Sequence, residues 1–135
     1  MKMLQAIPAM PVRDITKSIA FYRDKLGLKP GYTDGGFAKL LKDDIEVHLW
    51  AATDESWQGR VDSRPIVSGA ESFVAGTASC RIGVEGVDEL YALIEPLGIL
   101  HWNARLQDTD YGTREFGVLD PDGNLVTFFE RMSVG

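Results

Sequence analysis

The feature that most restricts what this chain can become is an internal repeat. Val12-Arg13-Asp14-Ile15 leads into a helical stretch ending at Leu26-Gly27, and 72 residues later Val84-Glu85-Gly86-Val87 leads into another ending at Leu97-Gly98. A second pairing runs at an offset of 79, where Phe37 to Trp50 (FAKLLKDDIEVHLW) lies over Phe116 to Phe129 (FGVLDPDGNLVTFF) without a gap. A repeat of this kind implies two copies of one supersecondary unit, neither of which covers all its apolar surface alone.

Periodicity assigns the elements of each copy. Ile15, Ile19, Tyr22 and Leu26 form one helical stripe, and Val87, Leu90, Tyr91 and Ile94 form the other. Asp14 is placed to cap the first helix, Asp88 and Glu89 put acid in the first turn of the second, and Gly27 and Gly98 follow the helix ends. The stretches at offset 79 read as hairpins, with turns at Lys42-Asp43-Asp44 and Pro121-Asp122-Gly123-Asn124 flanked by Val, Ile, Leu and Phe. Each copy therefore reads strand, helix, three strands. The expected fold is α+β, a single domain over 1–135 made of two tandem βαβββ modules at about 3–51 and 76–131. A loop over about 52–75 joins them. A four-stranded sheet covered by a helix on one face leaves the other face free, so the two modules are expected to curl around a shared cleft.

Composition removes several functions. The net charge of −6 opposes nucleic-acid binding, which needs a basic surface, and would favour a cationic ligand. The single cysteine, Cys80, rules out an internal disulfide and a paired-cysteine zinc site, and is expected as a buried strand residue. The apolar stretches are too short for a membrane span and the first residues lack a secretory core, which predicts a cytoplasmic protein. No glycine-rich phosphate loop and no nucleophile elbow occurs, and Asp120 and Asp122 are expected to cap their own turn.

Pro11-Val12-Arg13-Asp14-Ile15 with Ala20-Phe21-Tyr22 and Leu26-Gly27, and Val118-Leu119-Asp120-Pro121-Asp122-Gly123-Asn124, resemble the module motifs of the vicinal oxygen chelate superfamily. That superfamily contains glyoxalases, extradiol dioxygenases, fosfomycin-resistance enzymes and bleomycin resistance proteins. Asp43 to Trp50 (DDIEVHLW), Gly69 to Cys80 (GAESFVAGTASC) and Val87-Asp88-Glu89-Leu90-Tyr91 are similar to the bleomycin resistance branch, and the resemblance runs nearly end to end.

Metal-using members take His, Gln or Glu ligands from the first and last strand of each module. The repeat maps those positions onto Ile7, His48, Ser79 and Thr127. A catalytic divalent metal commonly needs about three protein ligands, so one histidine predicts no metal and no cofactor. His101 is expected to be an ordinary solvated histidine.

Alternation puts Glu46, His48 and Trp50 on one strand face, with Val47 and Leu49 turned to the helix. His48 then either lines the cleft or serves as a satisfied structural histidine. Tyr32 and Phe37 flank the Asp34-Gly35-Gly36 turn, Tyr111 and Gly112 precede the second hairpin, and Trp102 is expected on the strand before them. The resemblance implies that Tyr32 and Tyr111 sandwich the flat bithiazole of a bleomycin- or phleomycin-type glycopeptide, metal-free or metal-loaded, beside Asp34, Phe37, His48 and Trp50. It also implies a homodimer with an exchanged N-terminal strand, although Pro8 and Pro11 fit a simple edge strand equally well. The implied function is resistance by sequestration with no catalysis. The alternatives are a metal-dependent lyase, dioxygenase or thiol transferase of the same superfamily, and a metal-free module for another small molecule.

Overall fold

The computed structural model describes residues 1–52, 70 and 74–133. Most of the joining loop, including Trp57 and Phe73, lies outside the described residues. The chain divides into two compact units, Met1–Ala75 and Gly76–Gly135.

In the first unit, β1 (Ala9–Val12) leads to α1 (Ile15–Leu26) and then to β2 (Lys29–Asp34), β3 (Phe37–Lys42) and β4 (Ile45–Ala51). The sheet order is β1-β4-β3-β2, with β1 parallel to β4 and the remaining pairs antiparallel. Asp14 Oδ1 accepts the Lys17 N–H at 3.0 Å and opens α1, and Gly27 closes it at φ 76°. That left-handed conformation suits glycine, which has no Cβ to clash. Ile15, Tyr22 and Leu26 are buried, and Ser18 rather than Ile19 completes the innermost stripe. Across from the helix stand Met10, Val12, Ala38, Leu40, Val47 and Leu49, each at most 1% exposed, so alternate residues of β1, β3 and β4 form the core.

The second unit repeats the plan. It comprises β5 (Ser79–Gly83), α2 (Val87–Ile94), a short 3-10 turn at Glu95–Leu97, β6 (Gln107–Asp108), β7 (Thr113–Leu119) and β8 (Leu125–Arg131), in sheet order β5-β8-β7-β6. Its core is Ile82, Val87, Ile94, Phe116, Val118, Val126 and Phe128. Cys80 is buried at the edge of this core, and burial pushes its thiol up to about 11. The side chain of Asn124, fully buried, accepts from the N–H groups of Gly76 and Ala78 and donates to Asp120 Oδ2. Asp120 Oδ1 in turn accepts from the N–H groups of Asp122 and Asn124, so this carboxylate caps its turn.

Three local expectations need correction. The sequence aligns the two hairpins without a gap, but the second turn is one residue longer. Leu41 opposes Glu46 in the first hairpin, whereas Leu119 opposes Leu125 in the second. Relative to β8, β7 is therefore shifted by one position, which exchanges its faces. Phe116, aligned with Phe37 in sequence, turns into the helix-side core against Tyr91 and Phe128, and Glu115 takes the position facing away. Secondly, Trp102 is not on a strand. A turn at 102–103, held by Asn103 and Ala104 N–H groups donating to His101, interrupts the edge, and β6 is reduced to Gln107–Asp108. Thirdly, Ile7 precedes β1 rather than lying in it, because the strand begins at Ala9, after a proline with no N–H to donate.

Candidate functional site

Each sheet has one face on its helix and one turned away, and the chemistry-bearing side chains lie on the latter. In the first unit, the core positions Val47 and Leu49 force Glu46, His48 and Trp50 onto the far face of β4. Register sets Phe37 opposite Trp50 and Lys39 opposite His48, and Asp34 pairs with Phe37 across the tight β2–β3 turn. The rings of Phe37 and Trp50 are 4.9 Å apart at 65°, those of Phe37 and His48 4.9 Å apart at 76°, and Tyr32 lies 6.2 Å from Phe37 at 38°. The edge-on packing of Phe37 with Trp50 and with His48 is favourable. Together with Asp34 and Gly36 these four rings line a cavity of about 440 Å³.

The polar groups of this cavity are paired unequally. His48 Nε2 lies 2.6 Å from Glu46 Oε2, and Lys39 Nζ lies 3.7 Å from Glu46 Oε1, so Glu46 already has cationic or hydrogen-bonding company. Asp34 accepts only neutral donors among the described residues, the Gly36 N–H at 2.8 Å and the Tyr32 hydroxyl at 3.3 Å. The Trp50 indole N–H is buried and has no partner among the described residues.

The second unit builds a different face. Arg81 on β5 donates to Glu115 on β7 through Nη2 at 2.6 Å and Nη1 at 3.3 Å. Tyr111 and Thr113 hydroxyls each donate to the same carboxylate at 2.8 Å, and Thr109 lies 2.8 Å from Thr113. The Arg81 guanidinium also lies 4.8 Å from the centre of the Phe129 ring and 6.0 Å from that of Tyr111. Glu115 is 8% exposed, and the bond from Arg81, helped by those from Tyr111 and Thr113, holds its carboxyl down at about 2. Tyr111 thus has its hydroxyl anchored while its ring stays 67% exposed. Gly112 adopts φ 88°, and its carbonyl accepts the Met132 N–H, which fixes the loop that presents Tyr111.

Of the residues expected at a site, Tyr32, Asp34, Phe37, His48 and Trp50 are brought together in the first unit. Tyr111 and Gly112 stand together in the second, and Trp102, 81% exposed, stacks on His101 at 5.5 Å. Sequence reasoning missed Arg81 and Glu115. The signal for Glu115 was an alternating pattern in β7, Thr113-Arg114-Glu115-Phe116, which the ungapped alignment obscured, and that for Arg81 its place between the buried Cys80 and Ile82 of β5.

A family model described as the glyoxalase/bleomycin resistance protein/dioxygenase superfamily matches residues 5–128. The chain belongs to this superfamily. It is 55% identical over 130 residues to bleomycin resistance proteins of Geobacillus stearothermophilus and Staphylococcus aureus, covering 96% of this chain and 98% of theirs. Its fold is similar to that of a bleomycin-binding protein from Streptomyces verticillus complexed with copper(II)-bleomycin. That similarity has a TM-score of 0.70 and 26% identity, and it covers 95% of this chain and 96% of that one. The fold also matches a bleomycin resistance determinant encoded on transposon Tn5, at a TM-score of 0.66 and 23% identity over 96% of this chain and 98% of the other.

Many members of the superfamily are metal enzymes, so the donor set bears testing. Ser79 opens β5, Thr127 lies at the centre of β8, and Ile7 has no donor atom, which leaves His48. His48 is already engaged by Glu46, and the described residues gather no group of three or more His, Cys, Asp or Glu side chains. These residues do not fit a superfamily-type metal centre.

Proposed function

We propose that the protein binds a bleomycin-type glycopeptide and confers resistance by holding it, leaving the drug chemically unchanged. The observation that carries this reading is the ring-lined cavity of the first unit. Its walls offer stacking surface and a carboxylate. Site residues are Tyr32, Asp34, Phe37, His48 and Trp50 from one unit, with Tyr111, Gly112 and Trp102 from the other. Arg81 and Glu115 position Tyr111. Aromatic contacts contribute about 0.5–1.5 kcal/mol each beyond area burial, so the roughly 8 kcal/mol that micromolar affinity requires calls for several of them together with the apolar area they bury.

In this reading the protein works in the cytoplasm as a homodimer that exchanges its N-terminal strand. In support, Met1, Met3 and Leu4 extend ahead of β1 with 82% or more of their surface exposed, apolar material suited to a partner. Among the described residues no helix is long and apolar enough to cross a membrane.

The test is a titration of tryptophan fluorescence with bleomycin, followed by release and mass spectrometry. Saturation at one drug per site with recovery of the intact mass is the expected result. An acetylated, hydrolysed or thiol-adducted drug would make the protein an enzyme and end the sequestration reading.

A further inference from the structure

The two units solve one problem in different ways, and the difference identifies what the first cavity holds. In the second unit the far face carries its own cation. Arg81 lies over Phe129 and Tyr111, and Glu115 balances the charge. The strand registers equate the two faces. Ala9 opposes His48 and Arg81 opposes Thr127, so Ala9 stands where Arg81 stands in the second unit. Trp50 likewise stands where Phe129 does, since Phe37 opposes Trp50 and Glu115 opposes Phe129. The first unit therefore has the rings and a carboxylate, Asp34, but has alanine at the position that supplies the guanidinium. Among the described residues no cation lies over Phe37, Trp50 or Tyr32, and Lys39 is turned to Glu46.

We propose that the cavity lined by Tyr32, Phe37, His48 and Trp50 is a cation site, which receives an ammonium-type or other weakly hydrated cationic head group against the Trp50 and Phe37 faces, with Asp34 as counter-ion. Ring quadrupoles attract such cations most strongly where water is excluded, and tryptophan is the strongest of the three ring types. Asp34 is suited to the role because its partners among the described residues, the Gly36 N–H and the Tyr32 hydroxyl, are neutral. The cavity is large enough for an alkylated ammonium, and the net charge of −6 adds long-range attraction. The proposal rests on the drug-binding reading only for the natural ligand, a cationic group of the sequestered drug. The site itself stands on the geometry.

The probes are choline and its uncharged isostere 3,3-dimethylbutan-1-ol, followed by NMR at the Trp50 indole resonance. Choline is expected to saturate that resonance at about millimolar concentration, with the isostere at least tenfold weaker. Asp34→Asn, which retains an acceptor for the Gly36 N–H, should weaken choline about threefold to tenfold and bring the two probes closer together. Ala9→Arg should fill the site from within and abolish choline binding. Equal binding of the two probes, an unmoved Trp50 resonance, or undiminished choline binding in Ala9→Arg would overturn the proposal. A parallel bleomycin titration separates the two claims. Drug binding without any choline effect rejects the cation site alone, and charge-selective choline binding without drug binding rejects the sequestration reading alone.

Discussion

The far faces of the two sheets are built on one repeated strand order, yet one is self-satisfied and the other is unfinished. The second unit locks Arg81, Glu115, Tyr111 and Thr113 into a single bonded cluster in which the guanidinium covers the rings. The first unit packs Phe37 edge to face with His48 and Trp50, and with Tyr32 tilted beside it, around a cavity, and leaves an indole N–H without a partner among the described residues. The comparison teaches that within this fold an internal arginine can cover the rings of a sheet face that alanine leaves uncovered. The covered face becomes scaffold for one presented ring, Tyr111, and the uncovered face keeps its rings around a cavity.

The strongest way to break this contrast is Trp50→Leu. It should weaken bleomycin binding about thirtyfold in calorimetric titration, an effect on the order of 2 kcal/mol, since one of the largest ring surfaces of the cavity is lost. Comparable drug affinity in the variant would mean that the first unit is not the receptor.

Glu115→Gln tests the second unit, where the expected effect is on stability. The depressed carboxyl of Glu115 contributes stability that is fully present above its ordinary value near 4.5 and is lost as pH falls toward about 2. The variant should lose on the order of 1–2 kcal/mol at neutral pH, moderated because Arg81 is about half exposed. Its urea midpoint should also fall less steeply than that of the parent between pH 4.5 and 2. An unchanged pH slope would remove Glu115 from the account.

The helices extend the contrast. Asp14 caps α1 from its own loop, but α2 begins at Gly86, and the Gly86 and Val87 N–H groups donate to Glu130 of β8 at 3.1 Å each. Glu130→Ala should therefore cost about 1 kcal/mol by denaturant unfolding and loosen hydrogen exchange in both α2 and β8. Asp14→Ala should act on α1 alone. The smallest effect is expected from Tyr111→Phe, which keeps the ring and removes its anchor to Glu115. Drug affinity should fall about threefold, mainly through faster release, and Tyr111→Leu should fall further.

Much of the first unit was legible in the sequence because its determinants are local. The α1 stripe, the Asp14 cap, the Gly27 termination and the alternation that turns His48 and Trp50 from the core all follow from spacing of 3.6 or 2 residues. The set Tyr32, Asp34, Phe37, His48 and Trp50 lies within the contiguous stretch β2 to β4 of the same unit. The second unit was less legible because its decisive contacts span long stretches of chain. One extra residue in a turn exchanged Phe116 for Glu115, which no ungapped comparison of strands can register. Arg81 gains its role only because β5 is laid beside β8 and within reach of β7.

The sequence by itself determined the repeat, the order of elements in each copy and the alternation that sets His48 and Trp50 apart from the core, since each depends on residue type and spacing. Tertiary structure alone decided which repeat face is occupied by its own cation and which is left open. That outcome depends on strand register and on a guanidinium meeting a carboxylate 34 residues away, and pairing energies of that kind exist only once the sheet has formed.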